Sequence, residues 1–556
     1  MLTALRLGNF KAFGPTQRVP FKPLTLVFGP NSAGKSSLIH SVALAHEARR
    51  SGNLDAFRTD VGGTSIDLGG FRQYVFRRDP SLRVEWSAEL DVAKLSGRLA
   101  ELLAPVGIAS VSVTVGLPLD NLGAPVAGEP PLLTTYEILG DGETLLRMSQ
   151  RRDARLRLDR LASDHSVFRQ VLKAIVETGT TTSELRSEDQ EALDEAIASL
   201  IPQLNVKIGR FLPDGIESTS EQAESGAAEA MLFPVSRGSR SQDLAGAVRF
   251  YLPRILNELV RGLGGAIGEQ IDRLQYLGPL RSYPPRHLAF SEHDDANWRA
   301  GGGYAWDVLR RDRAVREEVN KWLGADWLQT HYEVLVRDLI PLSQLEEPLV
   351  SGIEGIADND GLNIEPDYDR DPVPTGAYPV IKDPEAEALR IVEQIAASDI
   401  DRIPELVLVD RRTDTVVSHR DVGIGVSQVL PVLVTCYGLR DRIIAVEQPE
   451  IHLHPALQAE LGDVFIRSAL GDQRNHFILE SHSEHLMLRI LRRIRETVDN
   501  DLPEDGTPVS PDDVAVLYVE PTPAGAQVVE IPVTEGGDFE RPWPQGFFAE
   551  RVKELF

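Results

Sequence analysis

The sequence predicts an α/β fold, with mixed β-sheets and flanking helices interrupted by a mainly helical insertion. Three observations predict it. Strands alternate with helices most regularly at the two ends of the chain. Segments between Leu82 and Val115 alternate at period two, and residues 135–149 read as a hairpin. The middle, from residue 151 on, carries apolar residues at helical spacing. At 556 residues, 42% hydrophobic and 26% charged, the chain can build two or three domains with a sizeable core. The simplest division places the first part of one α/β domain in 1–150, a helical insertion in 151–330, an acidic loop-rich connection in 331–400, and the rest of the α/β domain in 401–556.

Each element has its own signal. "LTALRLGNF" reads as a strand and "LTLVFG" as a short buried one. "GPNSAGKSSLIHSVALAHEARR" is a Gly-rich turn opening into a helix. "LRVEWSAEL" and "ASVSVTVGL" alternate around a helix-like piece, and "TYEILGDGETLLRMS" is a hairpin by its Asp-Gly turn. Residues 151–205 read as helical, with Ser187 an N-cap for the second helix. Residues 213–243 are small, polar and Gly/Ser-rich, and read as a surface excursion. A long amphipathic helix follows, bent at Pro253 or broken at Gly262–Gly265. Another helix covers 305–323, and the acidic stretch 341–384 is a loop. Then come a hairpin over 405–423, a helix in "VSQVLPVLVTCYGL", strands in "RIIAVEQ" and "HFILES", helices after each, and two closing strands, "DVAVLYVE" and "AQVVEIPV".

A formal net charge of −26 excludes a globally basic nucleic-acid glove, though not a local basic groove. The single cysteine, Cys436, excludes an intrachain disulfide and suits a reducing cytoplasm. "MLTALRLGNFKAF" has no signal-peptide pattern, and no apolar run is long enough to span a membrane.

"GPNSAGKS" satisfies G-x-x-x-x-G-K-[ST] between an apolar strand and a helix, the context that gives this motif its meaning. Glycines allow a tight loop whose N–H groups face phosphate oxygens, and the helix N-terminus adds about half a positive charge. The loop is Gly29, Pro30, Asn31, Ser32, Ala33, Gly34, Lys35, Ser36 and Ser37. Lys35 is expected on the β and γ phosphates, and the Ser36 hydroxyl on magnesium.

Three more stretches belong with it. "DVGIGVSQVLPVL" puts glycines and Ser427 ahead of a helix starting near Gln428, a second anion-binding terminus. "IIAVEQPEIHLHP" ends an apolar strand on Glu447, and "FILESHSEHL" places Ser481 and His482 just past another strand. Phosphate loop, serine turn, acidic strand end and histidine, in that order, resemble ABC-type P-loop ATPase heads. The resemblance is to the branch containing RecF, SMC-like and OLD-like ATPases. "EQPEIHLHP", "ESHSEHL" and "YLGPLR" (276–281) look like AAA/OLD-type ATPases of bacterial anti-phage systems, including Septu ATPases. "WPQGFF" (543–548) looks like the end of a related ATPase family.

The resemblance implies ATP and Mg²⁺ as cofactors and a head-to-tail homodimer. In it, Gly425, Ser427 and Gln428 of one chain close over the loop of the other, and Ser427 donates to the γ phosphate in trans. Glu447 holds magnesium, His482 senses the γ phosphate, and Gln73 of "DLGGFRQYV" reports on the metal. His454 stands where such heads often carry an aspartate. It also implies an anti-phage sensor role with a separate effector such as a nuclease. Only about 75 residues follow His482, so no Toprim-type nuclease domain is expected in the chain itself. Two other readings stay open: a RecF-like DNA-maintenance ATPase, and an ATP-bound scaffold with negligible turnover.

Gln448 occupies the position where many such enzymes carry a glutamate base. An amide cannot accept a proton, and losing a general base costs about 10²–10⁴ in rate. Positioning and charge supply most of phosphoryl-transfer catalysis, so an amide that orients water supports slow hydrolysis. Glu450, three residues after Glu447, is either a base or a helix cap. "HLH" at 452–454 is not a metal pair, because residues two apart on a helix do not face each other. Acidic "DYDRD" (367–371) reads as a solvated loop. Arg281, Arg286 and the arginines of "ILRRIRE" either contact DNA phosphates or are solvated.

Overall fold

Apolar runs too short for helices become the buried strands of a central sheet. The structure, a computed structural model, describes residues 2–151, 156–179, 189–218, 240–281, 296–341, 402–417 and 422–544, with isolated positions between 344 and 395. The described residues fall into two compact units. One takes in everything before residue 306 and after 422, and the other runs from Trp306 to Val422.

The first unit holds two large sheets. Its antiparallel sheet contains β1 (Leu2–Gly8), β2 (Gln17–Pro20), β6 (Val84–Asp91), β7 (Ile108–Gly116), β8 (Leu132–Gly140), β9 (Glu143–Gln150), β10 (Leu156–Leu161), β11 (Leu204–Ile208) and β12 (Pro213–Ser218). Their order is β12-β11-β10-β9-β8-β7-β6-β1-β2. The β8–β9 hairpin turns at Asp141 and Gly142, both with positive φ, as the Asp-Gly pair predicts. A small two-stranded piece, β4 (Arg58–Thr59) with β5 (Gly63–Asp67), lies between.

The second sheet carries the site. It contains β3 (Leu24–Phe28), β13 (Leu274–Leu277), β17 (Ile443–Glu447), β18 (His476–Glu480), β19 (Val514–Thr522) and β20 (Gly525–Glu530). The order is β13-β17-β18-β3-β19-β20, parallel except for the β19–β20 hairpin. All five residues of β3 and of β17 are buried, as expected for parallel strands covered on both faces.

Helices flank the sheets: α1 (Lys35–Ser51), α2 (Phe71–Tyr74), α3 (Gly97–Leu103), α4 (Ser166–Gly179), α5 (Asp189–Leu200), α6 (Arg240–Asp272), α7 (Ala296–Ala300), α8 (Tyr304–Arg311), α9 (Arg313–Leu323), α10 (Ile424–Gly438), α11 (Pro455–Leu470) and α12 (Glu484–Asp499). In the second unit, α9 packs beside a three-stranded sheet of β14 (Tyr332–Leu339), β15 (Ile403–Asp410) and β16 (Thr415–Val417). The expected α/β class, with mixed sheets and flanking helices, is what the structure has.

Four local expectations are corrected. Residues 151–205 are not helical throughout, because β10 and β11 extend the antiparallel sheet. The alternating "LRLDRL" pairs with the free edge of β9, and pairing overrides helical propensity. The excursion from 213 begins as strand β12, and its remainder up to residue 239 lies outside the described residues. α6 is one unbroken helix of 33 residues through Pro253 and the glycines. Leu252, Leu256, Leu259, Leu263 and Ile267 bury one face of it, which outweighs a cost of about 1 kcal/mol for each glycine. The helix expected over 305–323 is two, α8 and α9, divided at Asp312, which caps the second by accepting from Val315 N. Ser187, the acidic stretch 345–384 including 367–371, Arg286 and residues 545–548 lie outside the described residues.

Candidate functional site

Strand order creates the site. Because β17, β18 and β3 are parallel neighbours, their C-terminal ends share one edge, the place where open α/β sheets bind ligands. Gly29 and Gly34 begin and end the loop after β3 with φ of 145° and 103°. A Cβ on Gly29 would lie 2.5 Å from the Val519 carbonyl oxygen, and one on Gly34 2.4 Å from the Ala12 Cβ, so both positions demand glycine. Asn31 and Ser32 are exposed at the tip, and Ala33 and Ser37 are buried. α1 starts at Lys35 with no capping side chain and no acidic residue in its first turn, which leaves an electropositive helix end.

Lys35 is buried and donates to the carbonyls of Gly29 and Pro30 at 3.1 and 3.0 Å. Burial lowers its pKa, while the charges of Glu480, Glu450 and Glu447 oppose that shift. Ser36 donates its hydroxyl to Glu480 Oε2 at 2.7 Å, and Lys35 Nζ lies 3.9 Å from Glu480 Oε1. Glu480 is the site residue that the sequence reading missed. It ends β18 in register with Glu447 on β17, and β18 lies between β17 and the phosphate-loop strand. Its pKa is pushed up to about 7, first by burial and then by the charge of Glu447. The available signal was a second carboxylate ending an apolar strand, "FILE".

Glu447 is buried and accepts from the Tyr276 hydroxyl at 3.1 Å, with His40 Nε2 3.7 Å away. His40 stands one helical turn after Ser36 on α1, and its Nδ1 meets Lys11 Nζ at 2.7 Å. Burial lowers Lys11 to about 8. Tyr276, His40 and Lys11 also escaped the sequence reading, because strand pairing and packing bring them in.

Gln448 follows in a left-handed conformation, φ 46°. Two contacts hold it there. Its N–H donates to the Glu480 carbonyl at 2.7 Å, and its own carbonyl accepts from Arg281 Nη2 at 3.1 Å. Arg281 Nη1 donates to the Gln428 carbonyl, also at 3.1 Å. This guanidinium is 5% exposed and ties α10 to the loop after β17. Glu450 is buried, and its Oε1 accepts from His482 N at 2.6 Å. It therefore joins the two strand-end loops and does not cap α11, whose N-cap is His454. His482 is half-buried, and its pKa is lowered by burial and by nearby Lys35.

Two further expected site residues differ in their exposure. Ser427 lies within the first turn of α10, which starts at Ile424 and not near Gln428. It is 3% exposed within the single chain. Gln428 is buried too. Gly423 and Ile424 are exposed and Gly425 is half-buried, so the outward-facing groups there are glycine backbone and the Ile424 side chain. Gln73 is exposed on α2, beside Gly69, and no described hydrogen bond links it to Glu447, Glu480 or Ser36. The arginines of α12 are occupied within the chain, Arg493 with Asp463 at 2.6 Å and Arg492 with Glu496 at 2.6 Å. Trp543 packs edge-on against Phe28, the last residue of β3, at 5.6 Å.

The donor set suits magnesium. A serine hydroxyl and two facing carboxylates are hard oxygen ligands, and magnesium completes its octahedron with water and phosphate oxygens. Burial raises the Glu480 pKa first and the charge of Glu447 adds to it, and a cation beside the two carboxylates relieves that repulsion. Among the described residues no group of three His, Cys, Asp or Glu forms a protein-only metal cage, and no helix is long and apolar enough to cross a membrane.

Phosphate loop, sheet order and paired carboxylates define a P-loop domain of the ATPase class. Residues 266–488 match a family model described as "AAA domain, putative AbiEii toxin, Type IV TA system", and residues 509–556 match "Protein of unknown function (DUF3696)". No curated protein matches the chain. Solved structures similar to it include an Smc head bound to the C-winged helix domain of ScpA, at 10% identity and TM-score 0.34, covering 96% of this chain and 98% of that one. The SMC head domain from Thermotoga maritima gives 9% identity and TM-score 0.33, covering 96% and 99%. An Smc head with an extended coiled coil from Pyrococcus furiosus, bound to the C-terminal domain of ScpA, gives 10% and 0.32, covering 100% and 98%.

Proposed function

We propose that the protein binds ATP with magnesium and hydrolyses it slowly. The observation that carries this reading is the 2.7 Å contact between Ser36 and Glu480, beside Lys35 and in register with Glu447. Ser36, Glu447 and Glu480 would hold the magnesium ion, which supplies charge neutralisation at the β and γ phosphates. Lys35 and the N–H groups of the loop bind those phosphates. Gln448 orients the attacking water through its amide, Glu450 serves as the proton acceptor, and His482 senses the γ phosphate. An amide in place of a carboxylate makes turnover slow, which suits a switch better than a motor.

Pairing of two copies through the Ser427 hydroxyl is not part of this reading; that side chain is buried within the single chain. The toxin–antitoxin description of the family model matching 266–488 supports a defence setting, in which ATP turnover controls a separate effector such as a nuclease.

The test is steady-state ATP hydrolysis by the full chain against magnesium concentration. Lys35→Ala should abolish turnover. Glu480→Gln should raise the magnesium needed for half-maximal rate by about 10–100-fold. A wild-type chain that binds ATP without turning it over would instead establish the scaffold reading.

A further inference from the structure

The far end of α1 carries a second polar cavity, of about 680 Å³, which the ATP site does not use. Its lining includes four arginines, Arg49, Arg50, Arg210 and Arg261, against two aspartates, Asp214 and Asp272. This local excess of positive charge stands out in a chain of net charge −26. Arg49 is committed to Asp272 by two 2.8 Å bonds, and Arg50 meets Asp60 at 3.0 Å. Arg210 donates one N–H to the Arg50 carbonyl near the end of α1, and its other donors remain. Arg261 has no hydrogen bond or ion pair among the described residues and is exposed.

The floor is as informative as the charges. Gly264 and Gly265 line the cavity from inside α6, where each costs about 1 kcal/mol relative to alanine. Packing does not require them. A Cβ on Gly265 would meet no atom within 4 Å, and one on Gly264 would make only ordinary contact, at 3.6 Å from the Pro213 carbonyl oxygen. Two glycines kept in a helix without a steric reason leave bare backbone facing an arginine-lined space. That is how a chain makes room for a ligand that approaches closely. The volume is that of a small-molecule site, and guanidinium forks match phosphate oxygens two at a time.

We propose that this cavity binds a phosphate or phosphoester dianion, with Arg210 and Arg261 as its principal contacts and Gly264–Gly265 as its floor. The site is separate from the phosphate loop: α1 has 17 residues, so its two ends are about 25 Å apart. The proposal does not depend on ATP hydrolysis.

The test titrates the full-length Lys35→Ala chain, so that the phosphate loop does not compete, with inorganic pyrophosphate and separately with a 5′-phosphorylated tetranucleotide. Binding by calorimetry is expected for at least one probe. Arg261→Ala should weaken it about tenfold. Gly265→Leu should abolish it by filling the cavity, while the melting temperature stays level or rises. If both probes bind, the ligand is a small phosphate; if only the oligonucleotide binds, it is a nucleic-acid phosphate. The proposal is overturned if neither probe binds, or if binding survives both Arg261→Ala and Gly265→Leu unchanged.

Discussion

Glu480 and Glu447 end neighbouring parallel strands in register, and each has different company. Glu480 faces Ser36 and Lys35, whereas Glu447 faces Tyr276 and His40. The carboxylate in contact with the phosphate loop therefore comes from β18 and not from the strand that ends in Glu447. A residue remote from the chemistry sets part of the acid stability. His476 opens β18, stacks on Phe21 at 6.2 Å, and has a buried Nε2 with no hydrogen-bond partner among the described residues. Burial lowers its pKa from 6.5 to about 4. Its neutral form is favoured in the fold, so its contribution is full above 6.5 and is lost as pH falls through that window toward 4. Denaturant midpoints across this range should fall less steeply for His476→Phe, which keeps the aromatic stack. Equal slopes in the two proteins would show that the ring carries no such proton linkage.

Among the elements, α10 and the loop after β17 are tied by one buried side chain. Arg281 donates to Gln428 and Gln448 carbonyls at 3.1 Å each, and burial lowers its pKa only to about 10, so it stays charged. Its deletion would leave both carbonyls without this donor, at a cost of about 1–3 kcal/mol for each. Arg281→Lys is the gentler change, since an ammonium keeps the charge but cannot fork to both carbonyls. We expect kcat to drop about tenfold with KM for ATP nearly unchanged, because Gln448 loses its fixed geometry while the phosphate loop is untouched. A rise in KM alone would mean that Arg281 serves nucleotide binding instead.

Across the molecule, the phosphate loop depends on the far end of the chain. β3 lies between β18 and β19, Gly29 packs against the Val519 carbonyl, and Ala526 N donates to the Ala12 carbonyl at 2.8 Å. A chain ending at Ser510 keeps every residue of the phosphate loop and of both strand-end motifs. It should nonetheless fail to bind a fluorescent ATP analogue, because β3 becomes an edge strand and the loop loses its wall. Retained affinity would show that the β19–β20 hairpin is dispensable for the site.

Local pattern was enough for much of this. Strand, loop and helix around Gly29–Ser37 follow from apolar runs and glycines within a few residues of one another, as do the Asp141–Gly142 hairpin and the strand ending in Glu447. Long-range packing placed the rest. The Ser36–Glu480 bond spans 444 positions, and no window along the chain contains both. The burial of Ser427 follows from where α10 begins and what it packs against. The solvent-facing Gln73 and the switch of 156–161 from helix to strand depend equally on neighbours distant in sequence. Periodicity and turn chemistry act over one or two turns of backbone. Which strand lies beside which is settled by burial summed over the whole sheet, and that sum selected the carboxylate that meets the phosphate loop.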